Sequence, residues 1–213
     1  MKNILCFGDS NTYGYMPGDG RRWPREQRWT GRLAALLGPG YYVIEEGMNG
    51  RTTAFEDALQ PWRSGLGAVG AAMKSHAPLD LVVVMLGTND AKRRYNVSAD
   101  EIGMGMTALL QAAKNFFVCN AAHAGPAPQF LVVSPVPMPD TGGDPEFDAA
   151  SLQKQAALAA VLRGVAAQQG AAFADAAQWV PQTLLGSDCC HFTAAAHERF
   201  AAQMAACVHR LLD

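Results

Sequence analysis

Leu81-Val82-Val83-Val84-Met85-Leu86, followed at once by Gly87-Thr88-Asn89-Asp90, is the stretch that decides the fold. An unbroken apolar run with no polar alternation predicts a strand covered on both faces, the environment of parallel sheets packed between helices. Upstream, Ile4–Phe7 and Tyr41–Ile44 predict two further strands. Trp29–Leu37 between them has apolar residues at helical spacing and ends at Gly38-Pro39-Gly40. Leu66–His76 predicts a second helix. Downstream, Ala99–Phe117 predicts a helix, Phe130–Val133 a strand, Ala149–Gln168 a helix and Ala171–Ala174 a short fifth strand. Thr193 is placed to cap a last helix whose buried side presents Phe200, Met204, Cys207 or Val208, and Leu211. Strands alternating with helices imply a parallel sheet with helices on both faces. The expectation is one α/β domain over residues 1–213, in three layers.

Composition narrows the function. Hydrophobic residues make up 49% and charged residues 17%, which favours an ordered core over a disordered chain. A net charge of -2 gives no global field for nucleic acid or a membrane surface. The apolar run after Met1-Lys2-Asn3 is shorter than the roughly 7–15 residues of a signal-peptide core, so a cytoplasmic location is expected. The cysteines (Cys6, Cys119, Cys189, Cys190, Cys207) form no regular framework, and the histidines show no paired zinc spacing. Neither a metal nor a cofactor is expected.

Open parallel sheets bind ligands beyond the carboxyl ends of their strands. The first strand is followed by Gly8-Asp9-Ser10-Asn11-Thr12-Tyr13-Gly14, the second by Glu46-Gly47-Met48-Asn49-Gly50-Arg51-Thr52-Thr53, and the third by Gly87-Thr88-Asn89-Asp90. Asp188-Cys189-Cys190-His191 lies near the C-terminus. These clusters supply complementary parts of one reaction. Ser10 is a candidate nucleophile, which needs a base within hydrogen-bond reach. His191 is that base, since imidazole titrates near neutral pH. Asp188 is the group that orients the ring. The backbone N–H groups of Ser10 and Gly50 and the Asn89 amide are candidate oxyanion donors.

With these four blocks in this order, the sequence resembles the SGNH, or GDSL-like, hydrolase family. The resemblance implies a flavodoxin-like sheet of five parallel strands, a Ser10–Asp188–His191 triad and an oxyanion hole of Ser10, Gly50 and Asn89. Phe7–Gly14, Arg28-Trp29-Thr30-Gly31, Val43–Gly50 with Arg51-Thr52-Thr53, and Asp80–Asp90 are similar to the bacterial arylesterase and acyltransferase branch. That branch implies hydrolysis of short acyl and aryl esters, with acyl transfer to alcohols in some members. It also implies homo-oligomers with restricted, apolar channels in some. Asn11 stands where the family motif has leucine, so the acyl pocket is expected to differ.

The remaining candidates have less specific signals. Asp9 and Asp90 are expected to bond loop backbone and hold the site rigid. Arg51 suits either an acidic substrate group or a loop salt bridge. Cys190 adjoins His191, but Ser10 has the better strand-end context for a nucleophile. Arg21–Trp29 is basic with aromatics interleaved, and is expected to be a solvated loop or subunit contact, with Trp23 lining the substrate entrance. Two other readings stay open. A carbohydrate deacetylase or acyl-thioesterase would use the same triad. A flavodoxin-like binding module would cradle phosphate at Gly8–Gly14, leaving Asn89, Asp188 and His191 without a role. No G-x-S-x-G elbow of an α/β-hydrolase occurs.

Overall fold

The computed structural model describes the backbone of residues 1–213 and every side chain except those at 121 and 123. Strands β1 (Lys2–Gly8), β2 (Tyr41–Gly47), β3 (Leu81–Met85), β4 (Gln129–Ser134) and β5 (Ala172–Asp175) are all parallel and lie in the order β2-β1-β3-β4-β5. The helices are α1 (Ser10–Tyr13), α2 (Trp29–Leu37), α3 (Gly65–His76), α4 (Ala99–Cys119), α5 (Ala121–Ala124), α6 (Ala149–Gln168) and α7 (Ala194–Leu212).

The strand pleat explains the continuous apolar runs. Leu81, Val83 and Met85 point with Ile4 and Cys6 to one face, where Trp29 and Leu33 of α2 and Phe200 and Met204 of α7 cover them. Val82 and Val84 point with Leu5 and Phe7 to the other face, against Met73 of α3, Met106 of α4 and Leu158 of α6. Helix starts follow their caps. The Ser98 hydroxyl and Glu101 form a capping box at α4, and Thr193 Oγ1 accepts the Ala196 N–H at 3.3 Å at α7.

Two segments differ from the sequence expectation. β2 runs on through Glu45-Glu46-Gly47, because it is an edge strand where charged side chains find partners. Glu45 accepts bonds from Arg28 Nε at 2.8 Å and Thr30 Oγ1 at 2.7 Å. Ser10–Tyr13 is a helical turn instead of a loop. It is too short to show periodicity in sequence, and the Asp9 carboxylate starts it by accepting the Asn11 N–H at 3.0 Å.

The strand order puts the topological switch between β1 and β3, where a crevice opens at the carboxyl ends. Ser10 follows β1 and Asn89 follows β3, so both stand at its edge.

Candidate active site

β1 ends at Gly8, and the chain turns directly into α1 with Ser10 as its first residue. That turn is tightly built. A Cβ on Gly8 would overlap Thr12 Oγ1, and Gly14 closes the turn with φ 86°. Ser10 Oγ lies 2.9 Å from His191 Nε2. His191 Nδ1 lies 2.8 Å from Asp188 Oδ2. The other Asp188 oxygen accepts the N–H groups of Cys190 at 3.1 Å and His191 at 2.9 Å. The same carboxylate therefore folds the loop and orients the ring. Burial works to raise the Asp188 pKa, but the bonds from the His191 ring and backbone outweigh it and hold it at about 2. Asp188 thus stays ionised, as an orienting carboxylate must.

Gly50 sits in the turn after β2 with φ 74°, a left-handed conformation that favours glycine. Asn89 Nδ2 donates one proton to the Arg51 carbonyl at 3.2 Å, which leaves the second amide proton available. Ser10, Gly50, Asn89 and His191 line one cavity of about 220 Å³. The ring of Tyr15 is 4.3 Å from that of His191, centroid to centroid.

Asp9 and Asp90 are both buried. Asp90 Oδ1 accepts the Thr53 N–H at 2.8 Å and the Thr53 hydroxyl at 2.5 Å, which ties the Gly50 loop to the end of β3. Asp90 Oδ2 is buried and bonds to no described group. Burial lifts both carboxyls to about 6, against the hydrogen bonds each accepts. Arg51 is likewise internal. Its Nη1 donates to the carbonyls of Gly8 (2.9 Å) and Glu46, its Nη2 is 3.8 Å from the Glu46 carboxylate, and its guanidinium lies 4.1 Å over the Phe7 ring. It holds the loop, and of its two sequence readings the salt bridge is the one the geometry contains.

Asn11 and Trp23, expected at the acyl pocket and the entrance, are not among the residues lining this cavity. The Asn11 amide accepts the Phe192 N–H at 2.9 Å and donates to the Cys190 carbonyl at 3.2 Å, bracketing His191. The Trp23 indole N–H donates to the Phe192 carbonyl at 3.3 Å. Three arginines of the basic segment around Trp23 converge on one carboxylate. Glu45 meets Arg28 at 2.8 Å, Arg25 at 3.2 Å and Arg22 at 3.7 Å. Burial drives the Cys190 thiol pKa well above its ordinary value, which disfavours a thiolate there. Among the described residues, no group of three or more His, Cys, Asp or Glu side chains converges on a metal position.

Residues 6–199 match the family described as GDSL-like lipase/acylhydrolase. The chain belongs to that family. This GDSL-like hydrolase is thereby an enzyme of the acylhydrolase class. It is 36% identical to the aryl esterase of M. smegmatis, with a TM-score of 0.91 and 100% of each chain covered. It is 35% identical to Est24, a carbohydrate acetylesterase from Sinorhizobium meliloti, with a TM-score of 0.91 and again 100% of each chain covered. A carbohydrate acetylesterase family member from the same organism is 32% identical, with a TM-score of 0.89, covering 100% of this chain and 99% of that one. Among curated proteins, none matches the sequence.

Sequence reasoning did not find the rest of the cavity wall of this hydrolase: Tyr15, Asn49, Gln60, Arg63, Lys92 and Glu146. Asn49 beside Gly50, and Lys92 two positions after Asp90, sit close to motif residues and had that signal. Glu146 comes from the Met138–Phe147 loop, whose shape has no periodic pattern to read. The resulting wall is built largely from side chains with polar or charged ends, unlike the apolar channel that the resemblance implies for some relatives.

Proposed function

We propose that the protein hydrolyses short-chain acyl or aryl esters through an acyl-enzyme on Ser10. The observation that carries this reading is the continuous chain from Ser10 Oγ through His191 (2.9 Å) to Asp188 (2.8 Å), set at the strand ends. Ser10 attacks the ester carbonyl while His191 Nε2 takes its proton. The tetrahedral oxyanion is met by the Ser10 and Gly50 N–H groups and the Asn89 amide. The alcohol leaves with the proton from His191, and the acyl group stays on Oγ. Water, or a competing alcohol, then attacks the acyl-enzyme as His191 takes its proton, which releases the acid, or a new ester, and restores Ser10. A cavity of about 220 Å³ favours small acyl groups.

A second reading, deacetylation of a carbohydrate, is favoured by the polar wall of Asn49, Gln60 and Glu146, which suits a hydroxyl-rich alcohol half. A homo-oligomer belongs to the same proposal. It is supported by Leu59 and Trp62, which are 83% and 80% exposed on the loop before Arg63, and sedimentation velocity tests it. The primary test is hydrolysis of p-nitrophenyl acetate and octanoate by wild type and Ser10→Ala. Wild-type turnover with a preference for acetate, abolished by the substitution, is expected. Equal rates in both proteins would remove Ser10 as nucleophile. Acetylated sugars assayed alongside would promote the second reading if their kcat/KM exceeded that for the aryl ester.

A further inference from the structure

We propose that Arg63 recognises a carboxylate carried by the substrate beside its scissile ester. This rests on the esterase reading above and specifies the class of ester.

Arg63 lines the cavity that holds Ser10, Gly50, Asn89 and His191. Its guanidinium packs directly on the Gly50 turn, where a Cβ on Gly50 would overlap Nη1 and come within 3.0 Å of Nε. One bond holds the head group, from Nη2 to Gln60 Oε1 at 2.7 Å. Among the described residues, Nη1 and Nε bond to nothing, and Arg63 forms no ion pair. Its neighbours differ. Lys92 is paired with Glu146, and Arg94 with Asp57 at 3.1 Å and Glu146 at 2.7 Å. Glu146, the carboxylate of this wall, is therefore already engaged, and Arg63 keeps a half-buried charge with no ion-pair partner among the described residues, facing the reaction centre.

The surrounding backbone fixes that charge in place. The Arg63 carbonyl accepts the Thr52 N–H at 2.9 Å, joining it to the Gly50–Thr53 loop. Asp57 Oδ1 accepts the N–H groups of Leu59 at 2.9 Å and Gln60 at 3.1 Å, setting the approach. Trp62 immediately before it has φ 68°, a costly conformation for a bulky residue of the kind found at ligand clamps. Gln60 takes one of the two Nη2 protons, so the edge formed by the other Nη2 proton and its neighbouring N–H keeps the parallel pair of donors that matches the two oxygens of a carboxylate. The small cavity limits the link between that carboxylate and the ester to a few bonds. The class is thus a monoester of a short dicarboxylic acid, or an acylated short hydroxy acid.

The experiment compares each carboxylate ester with an isostere in which isopropyl replaces the carboxylate. Ethyl hydrogen succinate against ethyl 4-methylpentanoate tests the acyl half, and 3-acetoxypropionate against isopentyl acetate tests the alcohol half. The pH-stat gives kcat/KM for wild type, Arg63→Gln, Arg63→Lys and Ser10→Ala. The readout is the ratio of kcat/KM within each pair, so a general loss of activity cancels. The ratio is expected to fall about tenfold in Arg63→Gln in one arm, identifying the half that carries the anion, with partial recovery in Arg63→Lys. Ratios unchanged within about twofold in both arms, with Ser10-dependent turnover intact, would overturn the Arg63 assignment alone. Absence of Ser10-dependent turnover on all four esters would overturn the esterase reading and this assignment with it.

Discussion

Asn11 Oδ1 accepts the Phe192 N–H at 2.9 Å while its Nδ2 donates to the Cys190 carbonyl at 3.2 Å, so one side chain grips the backbone on both sides of His191. The turn that carries the candidate nucleophile thereby sets the position of the candidate base.

Asn11→Ala removes both bonds and leaves a buried donor unpaired, at about 1–3 kcal/mol, with a smaller cost at the part-buried Cys190 carbonyl. Denaturant unfolding is expected to show a loss of about 2–4 kcal/mol. Because His191 loses its fixed distance to Ser10, kcat is expected to fall at least about tenfold with KM little changed. Wild-type kcat in this variant would show that the loop holds His191 without the clasp.

Asn89→Ala deletes the side-chain donor proposed for the oxyanion. Loss of such a donor costs about 10²–10³ in turnover, and it acts on kcat because the bond strengthens only as charge develops. Steady-state kinetics on p-nitrophenyl acetate reads it. Full activity would mean that the two backbone N–H groups suffice.

Asp90 makes stability depend on pH in a direction opposite to most carboxylates. Its folded pKa of about 6 lies above the ordinary value near 4. Between those values the folded protein binds more protons than the unfolded chain, so the group's contribution is full below about pH 4 and is lost as pH rises through 6. Asp90→Asn keeps an acceptor for Thr53 and removes the titration. Measured by urea unfolding, the variant is expected to gain on wild type between pH 4.5 and 7, by up to about 2–3 kcal/mol for a shift of this size. A pH-independent difference would show that Asp90 does not hold its proton in the fold.

The sheet was legible wherever burial on both faces leaves a continuous apolar run, as at Leu81–Met85 and Ile4–Phe7. It was less legible at β2, where Glu45 and Glu46 on the edge break that pattern yet remain in the strand. The candidate site was readable where chemistry coincides with a strand end, as for Ser10 and Asn89. Arg63, Gln60 and Glu146 come from irregular loops whose path depends on capping bonds and on the αL residue Trp62, which no periodicity records. Asn11 was read for its polarity, but its role depends on Cys190 and Phe192, far away in the chain.

The distance along the chain between Ser10 and His191, 181 positions, has a meaning for biosynthesis. The serine leaves the ribosome 181 positions ahead of the histidine, and the histidine just ahead of α7, which docks against β1 and α2 to complete that face of the sheet. A nascent chain therefore carries the candidate nucleophile without its base until His191 has been added. On the proposed mechanism, a chain cut short before His191 holds the serine without the base that would let it attack esters around it.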